Sequence, residues 1–141
     1  YQHGSFWLGD PDCLLLHGAE LTEEEKRFHL SCALASCGAQ IISDPMPELT
    51  EGERIWMQQL LDNRLERCVF LDSDCTIARG VSCTGEEAYL FFNPTDEETR
   101  PSQTVPAGVY TELWSGEKLE ISGDMTVTLA PHAARVYLRQ K

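Results

Sequence analysis

Phe6-Trp7-Leu8-Gly9-Asp10-Pro11-Asp12-Cys13-Leu14-Leu15 places a short apolar run, an acidic Pro-centred turn and a second apolar run in succession. A strand is expected from Phe6 to Leu8, running toward Asp10-Pro11-Asp12. An extended chain alternates its side chains, so Asp10 and Asp12 are expected to point the same way at the strand end. They read either as a carboxylate pair beside a sugar or a cation, or as a turn in which one Asp caps nearby backbone groups. Trp7 is a stacking platform for an apolar sugar face or a core residue beside Phe6. Cys13 follows the acidic pair in a position to line a pocket. No adjacent His or Lys makes it a thiolate, so it is not expected to be a nucleophile.

Downstream, Thr22 and Glu25 form a capping box, and Glu23-Glu24-Glu25 load the first turn with the charge the helix dipole favours. The apolar face runs through Phe28, Cys32 and Ala35, and Gly38 is expected at C′. Ala39-Gln40-Ile41-Ile42-Ser43 reads as a short buried parallel strand that ends at Asp44-Pro45. Asp44 therefore sits much as Asp12 does, with the turn at Pro45 as its other role. A second capping box, Thr50 with Glu53, starts a helix carrying Ile55, Trp56, Gln59, Leu60 and Leu61.

Beyond Arg67 the pattern changes to short apolar runs. Strands are expected at Cys68 to Leu71, Thr76 to Ser82, Ala88 to Phe92, Val109 to Trp114, Lys118 to Ile121, Met125 to Leu129 and Arg135 to Leu138. Ser115-Gly116 and Gly123-Asp124 are turn candidates, and a polar loop runs from Asn93 to Pro101. Tyr110 and Trp114 read as core residues or as a carbohydrate-binding surface. Two strand–helix units cannot cover a parallel sheet, so the first half is expected to be the end of a larger α/β domain, followed by an antiparallel module.

The 141 residues carry 11 Lys and Arg against 23 Asp and Glu, a formal net charge of -12. Such a surface repels nucleic acid phosphate and anionic lipid, so neither a nucleic acid nor a membrane is expected as partner. No apolar stretch approaches the roughly 18–20 residues that span a bilayer. Neither an initiator Met nor a signal-peptide pattern precedes Tyr1-Gln2-His3-Gly4, and a fragment is one expectation. The six cysteines (13, 32, 37, 68, 75 and 83) lie in apolar surroundings and are expected to be reduced, buried thiols, which suits a cytoplasmic setting. Without a Cys-x-x-Cys and with scattered histidines, a zinc site has little support.

The run Phe6 to Leu15 resembles the Trp-(x)-Asn-Asp-Pro-Asp-(Cys or Met)-Leu segment of the clan D α-galactosidases, family 36-like and related to family 27, with Gly9 where that family usually has Asn. Ser36-Cys37-Gly38, Ile42-Ser43-Asp44, Tyr110 to Gly116 and the Pro131-His132-Ala133-Ala134-Arg135 run extend the similarity. The resemblance implies α/β followed by all-β: strands 7 and 8 of a TIM barrel with their helices (1–66), then an antiparallel β-sandwich-like domain (67–141). It implies a retaining hydrolase of terminal α-galactosides without metal or organic cofactor. Its nucleophile and acid/base would lie on the fourth and sixth strands, leaving no catalytic residue in this chain. Asp12 would orient substrate at the galactose pocket, with Cys13, Trp7, Asp10 and Asp44 beside it. Residues two apart on one strand do not supply carboxyls roughly 5–5.5 Å apart across a scissile bond, so Asp10 and Asp12 are not the catalytic pair. The expected partner is an α-galactoside oligosaccharide or glycoside, with association into a homo-oligomer or through an exposed barrel edge. A noncatalytic carbohydrate-binding or interaction β module is the competing reading.

Overall fold

A computed structural model describes residues 9–11, 13–18 and 20–141. The expected strand from Phe6 to Leu8 lies outside them. The first described strand, β1 (Cys13–Leu14), follows the acidic turn, and it pairs in parallel with β2 (Ile41–Ile42) through α1 (Glu23–Ser36). Both capping boxes form. The Thr22 hydroxyl accepts from the Glu25 amide while Glu25 accepts from the Thr22 amide at 2.7 Å, and Thr50 and Glu53 repeat the arrangement at the start of α2 (Glu51–Asp62).

The helix α1 ends one residue before expectation. Cys37, not Gly38, takes the left-handed conformation (φ 52°), which costs a non-glycine residue about 1–2 kcal/mol. Gly38 serves a different need, because a Cβ there would lie 2.3 Å from the Gly9 carbonyl oxygen. That carbonyl accepts from the Ala39 amide at 2.9 Å.

The second half forms a six-stranded antiparallel sheet, with β3 (Leu65–Phe70), β4 (Ile77–Ser82), β5 (Glu87–Phe92), β7 (Gly108–Glu112), β8 (Lys118–Ile121) and β10 (Ala134–Arg139) in the order β3-β4-β5-β10-β7-β8. The strand β3 starts at Leu65 and shifts register between Leu65 and Arg67, so it spans the expected 66/67 division. A small separate ladder joins β6 (Ser102–Thr104) to β9 (Asp124–Thr126). Sequence pattern missed β6, whose three polar residues carry no apolar alternation. It also ran β9 too far, since Leu129 instead makes a bridge to Thr99.

Strand alternation divides the core. One sheet face, carrying Leu90, Phe92 and Val136, with Trp114 from the turn that ends β7 two residues earlier than expected, packs with Leu30 and Leu34 of α1 and Met57 and Leu60 of α2. The other, carrying Tyr89, Phe91, Tyr110 and Tyr137, is covered by Met125, Val127 and Leu129. Tyr110 and Trp114 are therefore core residues. The Tyr110 hydroxyl donates to the Pro106 carbonyl at 2.7 Å, and Trp114 Nε1 donates to Ser31 Oγ at 2.9 Å. The two halves share one apolar core, and Arg135 on β10 clamps Glu24 of α1 with bonds of 2.7 and 3.1 Å.

The cysteines differ from expectation. Cys13, Cys32, Cys75 and Cys83 are exposed, and Cys37 and Cys68 are half-buried. Apolar neighbours still keep water from two of the thiols: desolvation pushes Cys32, exposed as a residue, up to about 11, and desolvation with the adjacent Cys37 pushes Cys68 up to about 12.

At the junction of the helices, burial opposes ionisation of Glu53. Hydrogen bonds from Lys26 Nζ (2.8 Å) and from the Thr50 amide outweigh it and hold the carboxyl down to about 2. A carboxyl depressed on folding adds stability that is fully present above its ordinary value of 4.5 and is lost as pH falls through its folded value. Thermal melts taken from pH 6 down to 2 are expected to show the parent losing stability between 4.5 and about 2. A Glu53→Gln variant, less stable at pH 6, should lose less over that interval.

Candidate functional site on the parallel strand pair

The five residues that the sequence singles out do not converge among the described residues. Trp7 and Asp12 lie outside them. Asp10 is exposed on the segment before β1, next to Gly9, whose carbonyl receives the Ala39 amide upstream of β2. Asp44 lies beyond the downstream end of β2. Asp10 and Asp44 thus flank opposite ends of the pair, whereas the sequence reading put both at the downstream end. The cause is local: Gly9 sits beside Ala39 and Cys13 beside Ile41, so the Asp-Pro-Asp segment takes up more residues than the strand opposite it. Pro11 has no amide proton with which to continue a ladder.

Asp44 is buried, and its carboxylate faces the backbone. Its two oxygens accept from the Leu16 amide at 2.9 and 3.0 Å, and Oδ1 also accepts from the His17 amide at 2.7 Å. The Ser43 amide donates to the Leu14 carbonyl at 3.0 Å just before it. A two-residue parallel ladder is too short to hold itself, and this carboxylate extends it past its end. That geometry gives Asp44 a positioning role at the end of β1.

Side-chain alternation sets what the pair presents. Leu14 and Leu16 are buried against the helices. Cys13, Leu15 and Ile41 share the opposite face and are exposed, the last two at 44% and 43%. Ile42, next to them, is half-buried. Chemically, this face offers an apolar wall and a thiol bordered by the Asp10 turn. A separate cleft of about 290 Å³ lies at the other end of α1, lined by Cys37, Gln40, Arg64, Glu66 and Cys83. Sequence reading had no signal for it, since its lining comes from three separate segments.

No protein-family model matches the chain. No curated protein matches it in sequence. Solved structures do match it in fold. The α-galactosidase I of Mortierella vinacea superimposes with a TM-score of 0.74 at 13% identity, over 92% of this chain and 38% of that one. A family 27 β-L-arabinopyranosidase of Geobacillus stearothermophilus gives 0.71 at 17% identity, over 95% and 37%. An α-galactosidase of Saccharomyces cerevisiae, solved with raffinose, gives 0.62 at 11%, over 92% and 46%. The mostly β chain with two helices thus has the fold of part of the clan D α-galactosidases. It spans less than half the length of each of these enzymes.

Two substitutions test the local geometry. Gly38→Ala forces a Cβ onto the Gly9 carbonyl and is expected to cost about 1–3 kcal/mol in denaturant unfolding, the range for overpacking. Asp44→Asn removes the charge that holds the Leu16 and His17 amides and should cost about 1–2 kcal/mol by the same measurement. An Asp44→Asn chain as stable as the parent would remove Asp44 from the scaffold.

Proposed function

We propose that this chain is the C-terminal portion of a retaining, α-galactosidase-like glycoside hydrolase acting on terminal α-linked galactose. On this reading residues 1–66 are the last two βα units of a TIM barrel, and residues 67–141 are its closing β-sandwich-like domain. The observation that carries the reading is the single superposition taking in 92% of the chain on an α-galactosidase. That share exceeds either half, so both helices and the sheet keep the mutual arrangement found in an enzyme of that class. Family 27 is the nearer comparison, being the family named for the arabinopyranosidase; the family 36-like variant rests on the motif resemblance.

The double displacement of a retaining glycosidase requires a carboxylate nucleophile and a carboxyl acid/base about 5–5.5 Å apart. The resemblance assigns both to strands outside this sequence. The chain's own contribution is then one wall of the sugar pocket. Asp12 orients a galactose hydroxyl, and Cys13 and Trp7 supply apolar surface beside it. Asp10 borders the turn, and Asp44 fixes the end of β1. No metal or organic cofactor takes part.

The isolated chain is expected to show no hydrolysis of an aryl α-galactoside above a mock purification. In a longer polypeptide that includes the upstream strands, Asp12→Asn is expected to lower kcat/KM about tenfold or more at unchanged melting temperature, since weakening one charge-assisted bond costs roughly 1–2 kcal/mol. Parental kcat/KM in that variant would remove Asp12 from the pocket.

A further inference from the structure

Thr99 Oγ1 is buried and bonds to nothing among the described residues. Its backbone is fixed, since Thr99 and Leu129 exchange both amide–carbonyl bonds at 3.0 and 2.9 Å. A buried hydroxyl without a partner costs stability unless a ligand pairs with it. Thr99 lines a hollow of about 460 Å³ between the Asn93–Pro101 loop and the turn that joins β3 to β4, with Phe92, Pro94 and Pro101 as apolar walls and Asp74 beside them. The Asp74 side chain is exposed and meets the Ser73 hydroxyl at 3.3 Å. Thr76 Oγ1 donates to Asp72 at 2.6 Å and Thr95 Oγ1 donates to Asn93 Oδ1 at 2.7 Å, so each of these hydroxyl oxygens keeps a lone pair to accept with.

A second hollow of about 370 Å³ adjoins the first through Phe92 and Pro94, and it is lined further by Phe28, Phe70 and Cys75, the neighbour of Asp74. Phe70 is 45% exposed, and its ring lies 6.0 Å from that of Phe92, which meets Phe28 edge-on at 5.7 Å. The two hollows form one cleft, polar at one end and aromatic at the other. Each is of the size of small-molecule sites, about 300–1,000 Å³.

The walls select the ligand. No Lys, Arg or His lines either hollow, and the net charge of -12 repels anions. A wholly apolar ligand would desolvate Asp74 and leave Thr99 unpaired. A neutral sugar meets both demands, because its adjacent hydroxyls donate to a carboxylate in pairs while the C–H face of its ring lies flat on Phe or Pro. We propose that this cleft on the antiparallel module binds a neutral oligosaccharide, with one ring hydrogen-bonded to Asp74 and Thr99 and the next stacked on Phe70. The site uses none of Trp7, Asp10, Asp12, Cys13 and Asp44, and it does not rest on the glycosidase reading above.

The test follows the backbone amide NMR signals of the 141-residue chain titrated with raffinose and, separately, with maltotetraose. Saturable shifts at Cys75, Thr95 and Thr99 are expected with at least one of the two sugars, at a Kd on the order of 1 mM. Asp74→Asn and Thr99→Val should each weaken that binding about tenfold, the loss of one hydrogen bond to the ligand, and Phe70→Ala should weaken it through the lost ring face. Thr99→Val also separates a ligand-binding hydroxyl from a structural one. The free variant is expected to melt no lower than the parent, since a methyl of similar shape replaces an unpartnered hydroxyl. Maltotetraose binding in the cleft without raffinose binding upholds the sugar site and removes galactosides as its ligand. No saturable shift with either sugar overturns the proposal, as do shifts confined to Cys13, Leu15 and Ile41. Parental affinity in the Asp74→Asn, Thr99→Val and Phe70→Ala variants overturns it equally.

Discussion

The structure depends on the burial of α1 between two layers that differ in kind. Leu30, Ala33 and Leu34 are all but inaccessible, with the short parallel pair on one side of the helix and the antiparallel sheet on the other. A helix pressed from both sides must satisfy any polar group it buries. Ser31, fully buried, does so by donating to the Arg27 carbonyl at 2.7 Å and accepting from Trp114 at 2.9 Å. Glu24 completes the attachment, bridging Arg27 of its own helix and Arg135 of β10. The Arg135 guanidinium bonded to it holds its carboxyl below the usual carboxylate range. Neither layer has an independent core at this surface, so the helix fixes their relative placement.

Much of this organisation was legible because it is written in local chemistry. The two Thr-x-x-Glu boxes fixed both helix starts, and the run of apolar strands with Gly, Asp and Ser turns gave the antiparallel sheet. What escaped reading depends on distant partners. The left-handed end of α1 falls on Cys37 because the next position must be glycine to let the Gly9 carbonyl approach, a contact 29 residues away in sequence. The ladder of Ser102–Thr104 with Asp124–Thr126 exists because its partner strand supplies the buried Met125. The exposure of four cysteines likewise follows from where their elements sit, not from their apolar neighbours in sequence.

The candidate site shows the same division. The Asp-Pro-Asp segment stands out in sequence after an expected strand at Phe6 to Leu8, and the described residues put Asp10 upstream of β1. Asp44 looked equivalent to Asp12 because both border a proline at a strand end. Its oxygens instead hold the amides of Leu16 and His17, and nothing local to Ser43-Asp44-Pro45 announces those partners.

The position of β10 bears on the order in which the molecule is made. The last strand in sequence lies in the middle of the sheet, hydrogen-bonded to β5 on one side and β7 on the other, and it packs against α1. During synthesis the earlier strands emerge with a gap where their central neighbour belongs, and α1 lacks the surface that buries Ser31 and Leu34. Completion therefore waits for residues 134–139, so a nascent chain exposes its apolar layers until that strand has emerged. Loss of residues 134–139 would open the sheet at its centre, with consequences far larger than the trimming of an edge.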